Sequence, residues 1–438
     1  MCVTNYPQPF SKRDIMSIEP STAAGFRTEI AGVPISELVE RFGTPTYVYD
    51  EAKILDRVDE LRRFDVIRYA QKACSNIAIL DLMRRHSVLV DTVSAGEIHR
   101  ALTAGYVAGG QPPEIVYTAD IFDRDAIRLV IEHGIHVNVG SPDMIDQLGE
   151  VAPGNNITLR INPGFGHGHS QKTNTGGEHS KHGVWYEQLD DCLRRADHHG
   201  LGVTGLHMHI GSGCDLDHLA QVCTAMENAA MCAGRSVVSI SAGGGLPIPY
   251  RPDEAHVNLD GYFERWDATR KRLENAFGHA VSLEIEPGRY LSAESGYLVA
   301  EIRAVKQAGS NLFYLLDAGF NNLARPILYG AYHPMSIAPR DGDVRRGMQD
   351  VVVGGPLCES GDIFTQEEGG FVSRRQLPVA AVGDWLVIEC AGAYGFVMSS
   401  NYNAKPLAAE VLVRQGAAYL IRARQTYADL MRGEYIPD

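Results

Sequence analysis

Short apolar, β-branched runs recur along the first two-thirds of the chain. They begin near residues 66 (VIRYA), 89 (LVDTVS), 114 (EIVYTA), 136 (HVNVG), 157 (ITLRINP), 203 (VTGLHMHIG), 237 (VVSISAGGG) and 281 (VSLEIEPGR). Between them lie stretches such as DRDAIRLVIEHG and LAQVCTAMENAAMCAG, whose apolar residues return every three or four positions and predict helices buried along one face. Eight strands alternating with helices predict parallel βα units closed into a (β/α)8 TIM-like barrel. The widest spacings follow the fifth and seventh runs, leaving room for long loops over one face. After about residue 296 the pattern changes to strand-like pieces without long helices, GYLVAEIRAVKQ, NLFYLLDAGF, QDVVVGGPLC and DWLVIECAGAYG, which predict a mostly β domain. The expected organisation is an N-terminal segment over 1–45 packing partly with the β domain, a barrel over 46–296, and a C-terminal β domain over 297–438. The strand-like PTYVYD near the start is expected to join the β domain across the barrel.

Barrels of this kind carry their chemistry beyond the C-terminal ends of the strands. Polar or glycine-rich positions cluster at those ends here: Lys72, Ser94, Thr118, Asn162, His209, Gly243 to Gly245, and Glu286. Lys72 falls between the buried run VIRYA and a helix start marked by Ser75 and Asn76. A lysine alone in such a loop reads as solvated. Its company at the other strand ends is what argues for function.

Composition narrows the classes. A chain of 438 residues exceeds what one core usually supports, so at least two domains are expected. Forty basic against 54 acidic residues leave a net charge of −14, which argues against nucleic-acid or anionic-membrane partners and leaves a small-molecule substrate open. Eight cysteines (Cys2, Cys74, Cys192, Cys214, Cys223, Cys232, Cys358 and Cys390) show no CxxC pair or regular spacing, so neither a disulfide framework nor a zinc site is indicated. No window approaches the roughly 18 apolar residues of a membrane helix, and the first twenty residues lack a signal-peptide core. A cytoplasmic, unprocessed protein is the expectation.

Several motifs carry candidate chemistry. In SAGGGLPIPY three consecutive glycines follow a strand, where bare N–H groups can approach a phosphate, although a tight turn needs such glycines too. HMHIGSG puts His207 and His209 on one strand face; without a third ligand at diagnostic spacing, a ring stacked on a flat cofactor suits better than a metal, with Gly211, Ser212 and Gly213 as phosphate donors. NPGFGHGHSQKTNTGGEHSKHG carries His167, His169, His179 and His182 and reads as a substrate-covering loop rather than a metal site. Ser94 and Glu97 have capping-box spacing, which accounts for both. EIEPGRYL offers Glu286 and Arg289 about a Pro-Gly turn, beside the glycine run. GGPLCESGDIF places Cys358 and Glu359 in a polar turn of the β domain, where the thiol is either filler or functional.

YAQKACSNIAIL, HMHIGSG, GGGLPIPY, EPGR, RPILYGAYH, GPLCESGD and GAYG, in that order over nearly the whole chain, resemble the diaminopimelate decarboxylases. These belong to the barrel-type pyridoxal-phosphate enzymes that share the alanine racemase-like architecture. Cys74 stands where that family usually has asparagine, and Pro247 where glycine is common. The resemblance implies pyridoxal 5′-phosphate held by Lys72, with His209 stacked on its ring and Glu286 at its pyridine nitrogen. It further implies Ser212, Gly243, Gly244, Gly245 and the turn Glu286, Pro287, Gly288 and Arg289 about the phosphate, and Tyr394 against cofactor and substrate. By the same resemblance Arg289, Arg325 and Tyr329 grip a distal carboxylate, Glu359 receives the distal ammonium, and Cys358 supplies a proton. The last two would reach the site of another subunit in a symmetric homodimer. The implied reaction converts meso-2,6-diaminopimelate to L-lysine and carbon dioxide, the last step of lysine biosynthesis. A decarboxylase of another basic or D-amino acid, or a non-catalytic pyridoxal-phosphate-binding homologue, is the alternative.

Overall fold

The computed structural model describes residues 25–166, 176–209 and 216–437. All eight runs form strands: Val66–Ala70, Leu89–Thr92, Ile115–Ala119, His136–Val139, Asn156–Asn162, Gly202–His207, Ser239–Ser241 and Ser282–Ile285. Each pairs in parallel with its neighbour in sequence, and the eighth closes on the first through Glu284 beside Val66 and Ile285 beside Ile67. The sheet is therefore a closed barrel. Its strands are apolar because they are buried on both faces, toward the barrel axis and toward the helices outside.

The helices start where their caps predict. Asn76 caps Ile77–Arg85 by accepting from Ala78 N at 3.0 Å, and Ser94 caps Ala95–Thr103 by accepting from Glu97 N at 3.2 Å. Arg124–His133 begins on Asp123 and stops at Gly134, whose left-handed backbone (φ +64) suits a residue without Cβ.

A second, mixed sheet of nine strands is built around Gly296–Ala308. That strand pairs antiparallel with Asn311–Leu316, Trp385–Ile388 and Thr46–Asp50. PTYVYD thus lies in the second sheet, between Gly296–Ala308 and the parallel strand Ala409–Arg414, so the sheet draws on chain from both sides of the barrel. The segment before it packs on the same sheet: Ile30, Val33, Ile35 and Leu38 share a buried cluster with Val299, Trp385 and Val411. Arg27 pairs with Glu389 at 2.9 Å.

The barrel has two unequal ends. A cavity of about 700 Å³ opens among the strand beginnings, lined by Arg68, His136, Asn156, Ser239, Ser282 and Glu284. The lysine, glycine turn and arginines picked out in the sequence gather instead at the opposite, C-terminal end, where the second sheet also contributes.

Candidate active site

Lys72 sits in a single 3-10 turn, Gln71–Ala73, between the first barrel strand and its helix. Three remote turns converge on it. Ala70 N donates to Pro287 O (3.2 Å), Tyr394 N donates to Ala73 O (2.8 Å), and Glu286 N donates to Gly243 O (2.9 Å). The motifs around Lys72, Gly243, Glu286 and Tyr394 are therefore stitched together through their backbones. Tyr394 holds a left-handed φ of 56°, a conformation that costs a side-chain-bearing residue about 1 kcal/mol or more and persists where neighbours over-determine it.

Glycine is required where these turns meet. A Cβ on Gly243 would stand 2.4 Å from Met208 O and 2.7 Å from His209 Cβ; one on Gly244 would stand 2.6 Å from Glu286 O. The run GGG is thus a close approach of three backbone segments.

Glu286 is 5% exposed. His207 Nε2 donates to its Oε2 at 2.6 Å and Ser241 Oγ donates to its Oε1 at 3.2 Å, while Gly243 N donates to Ser241 Oγ at 3.1 Å. Burial alone would raise this carboxyl, but His207, Arg68 and Arg160 outweigh it and hold Glu286 below the usual carboxylate range. Asp91, on the second strand, goes the other way: burial and the charge of Glu286 push it well above that range, against the opposing pull of Lys72 and Thr118. The site thus drives two neighbouring carboxyls in opposite directions. His209 is held neutral, its pKa driven well down by burial and by Arg160, Lys72 and His207.

Beside this end lies a cavity of about 390 Å³ lined by Tyr250, Arg289, Arg325, Tyr329, Tyr332 and Tyr394, among others. Arg289 donates to Tyr250 Oη (3.0 Å) and lies 5.3 Å from the Tyr394 ring centroid; Arg325, 6% exposed, donates to His333 Nε2 (2.9 Å). Among the described residues no carboxylate pairs with either guanidinium. The cavity therefore presents two cations whose hydrogen bonds run to neutral acceptors.

Other expected residues lie elsewhere. Cys358 and Glu359 are exposed on the β domain and do not line this cavity. Their turn is held from inside by Asp362, which accepts from Phe320 N (2.7 Å) and Leu357 N (2.8 Å), and Cys358 N donates to Asn403 Oδ1 (2.7 Å). Ser212, with Gly211 and Gly213, lies outside the described residues, as do His167 and His169. His182 bonds Asp120 at 2.5 Å and Gly177 N bonds Asn162 Oδ1 at 2.9 Å, tying the end of the histidine-rich loop to the third and fifth strands. Cys74 is a buried thiol pushed up to about 12 by burial and by Glu410.

Sequence reasoning weighed His207 with His209 but not as the partner of Glu286, and it passed over Asp91, Ser241, Tyr250 and His333. The last two stand inside quoted motifs, GGGLPIPY and RPILYGAYH, and could have been found as polar-tipped residues beside the arginines. Nothing in the local pattern marks Asp91 as a buried acid.

The barrel, with Lys72 beyond its first strand and Glu286 beyond the neighbouring eighth, falls within residues 51–293, which match the pyridoxal binding domain of the pyridoxal-dependent decarboxylases. A diaminopimelate decarboxylase of Streptomyces coelicolor is 55% identical over 407 residues, 93% of this chain and 92% of that protein. A crystal structure of a diaminopimelate decarboxylase superposes with a TM-score of 0.88 at 53% identity, covering 90% of this chain and 94% of that one. The enzyme of that name from Helicobacter pylori, solved with L-lysine, matches at TM-score 0.79 and 29% identity over 91% of this chain and 98% of its own. The chain belongs to the diaminopimelate decarboxylase family.

The residues present fit pyridoxal 5′-phosphate. Gly243 and Gly244 leave no room for a side chain and Gly245 holds a positive φ of 99°, so backbone alone borders the place a phosphate would take, and Glu286, held below the usual carboxylate range, matches a protonated pyridine nitrogen.

Proposed function

We propose that this chain removes carbon dioxide from meso-2,6-diaminopimelate to give L-lysine, the last step of lysine biosynthesis. The observation that carries the reading is the pair of guanidinium groups, Arg289 and Arg325, facing the cavity beside Lys72 without a carboxylate of their own. A planar carboxylate at the far end of the substrate meets them in the two-pronged geometry that guanidinium favours. Tyr329 and Tyr394 close the same cavity.

Pyridoxal 5′-phosphate, when bound, supplies the sink for the electron pair left behind by carbon dioxide. Lys72 would be its attachment point. Glu286, held below the usual carboxylate range by His207, Arg68 and Arg160, would keep a proton at the pyridine nitrogen and so deepen that sink. His209, neutral and beside Gly244, would pack against the ring, and Gly243 to Gly245 with the turn from Pro287 through Gly288 to Arg289 would surround the phosphate. The proton that replaces carbon dioxide comes from Cys358, and the distal ammonium is received by Glu359. Both arrive from a second copy in a symmetric homodimer, a reading supported by their exposure here and their separation from the cavity.

The test is carbon dioxide release by the pyridoxal-phosphate-loaded protein given meso-diaminopimelate, D-lysine or L-ornithine. Leaving a buried cation without its partner costs about 2 to 5 kcal/mol, so kcat/KM for diaminopimelate should exceed the others by roughly 30-fold to 1,000-fold or more. Equal values for diaminopimelate and D-lysine would sink the assignment.

A further inference from the structure

Two other buried arginines in this protein, Arg68 and Arg27, pair directly with acids. Arg68, 2% exposed, pairs with Glu284 at 2.7 Å, and Arg27 pairs with Glu389 at 2.9 Å. Arg289 and Arg325 break that habit. Tyr250 stands between them: its hydroxyl accepts from Arg289, and its ring centroid lies 4.8 Å from the Arg325 guanidinium carbon and 5.8 Å from that of Arg289. The ring of His333 meets Tyr250 edge-on at 5.5 Å and is itself fully buried.

The tautomer of His333 follows from its partners. A backbone carbonyl can only accept, so Nδ1 carries the proton given to Glu389 O at 3.0 Å; a guanidinium can only donate, so Nε2 is the bare nitrogen that receives Arg325 Nη1 at 2.9 Å. The ring is neutral in this geometry. Burial and the neighbouring Arg325, Arg289 and Arg375 act in the same direction and hold it so. The acid whose backbone meets His333 is turned away: the Glu389 carboxylate is taken up by Arg27 and by Ser336 Oγ at 2.7 Å, and only its backbone carbonyl reaches His333. On the cavity rim, the exposed Glu254 accepts from the backbone N–H of Tyr250 and Arg251, and Glu368 is exposed.

We infer that Tyr250 and His333 are positioning residues of the arginine pair, and that their neutrality reserves both positive charges for the far carboxylate of the substrate. This rests on the function proposed above. An acid in either position would orient an arginine equally well but would also neutralise it, leaving the substrate carboxylate to compete with a built-in one.

The experiment compares full-length, loaded His333→Glu and His333→Gln, with calorimetric binding of pimelate as a probe independent of turnover. His333→Glu should weaken pimelate binding and raise KM for meso-diaminopimelate by about 100-fold, with a much smaller change in kcat and in KM for D-lysine. His333→Gln, which keeps a neutral acceptor, should stay within about fivefold of the parent in both. Equal impairment by Glu and Gln, or equal loss toward diaminopimelate and D-lysine, overturns the inference and leaves His333 a packing residue. A parent protein without preference for diaminopimelate would instead overturn the function on which it rests. If melting shows that His333→Glu does not fold, Tyr250→Phe decides: KM should rise about tenfold for diaminopimelate alone, and an equal rise for D-lysine refutes the role.

Discussion

At the scale of single residues, the site is organised by opposite treatment of two carboxyls. Glu286 has Arg68, Arg160, His207 and a hydroxyl near it and is held below the usual carboxylate range, whereas burial and the charge of Glu286 push Asp91 well above it. For Asp91 the folded pKa lies above the unfolded value of about 3.9, so between these two values the folded state binds the extra proton and stability falls as pH rises. Asn, which cannot ionise, lacks this penalty. Apo Asp91→Asn should therefore gain stability relative to the parent from about pH 4 upward, by as much as about 1.4 kcal/mol per pH unit until the folded pKa is reached. Parallel pH profiles from denaturant melts of the two proteins would show that Asp91 is ionised in the folded state.

Among elements, the helix Ile77–Arg85 starts shortly beyond the turn Gln71–Ala73 that carries Lys72. Asn76 does two jobs there. Its side-chain oxygen caps the helix, and its Nδ2 donates to Glu410 Oε2 at 2.9 Å, joining the barrel to the strand Ala409–Arg414 of the second sheet. Asn76 is 2% exposed, so no water replaces either bond. Losing the cap costs about 1 kcal/mol, and because Glu410 keeps Tyr49 (2.8 Å) and Arg422, losing the Asn76 bond adds about 0.5 to 1.5 kcal/mol. Asn76→Ala should accordingly lower unfolding free energy by about 1.5 to 2.5 kcal/mol in a urea titration. A loss below about 0.5 kcal/mol would mean that the cap and the inter-sheet bond are replaceable.

For the whole molecule, the proposed homodimer with shared sites can be tested through Cys358, which is exposed and does not line the cavity of its own chain. Lys72→Ala and Cys358→Ala homodimers should each be nearly inactive. If the cysteine acts across the dimer, mixing them places both defects in one site and leaves the other intact. Equal mixing makes about half of the dimers mixed, with one good site in two, so activity should recover to roughly a quarter of the parent per protomer. Verified subunit exchange without recovery would remove the shared site and leave Lys72 as the anchor.

The eight barrel strands were legible because burial on both faces leaves a continuous β-branched run, and Lys72 because the change from that run to a helix cap is local. The glycines after Ser241 and Ala242 were equally visible, since a close backbone approach admits no other residue. Local pattern carries these because each depends on neighbours a few positions away. It could not say that His207 rather than His209 would hold Glu286, that Asp91 would be pushed above the usual carboxylate range, or that Glu389 would be turned toward Arg27 and leave Arg325 to a neutral His333. Those outcomes depend on burial and on charges brought together from separate strands and from the second sheet, and only the closed barrel with its companion sheet determines which charges share a low-dielectric space.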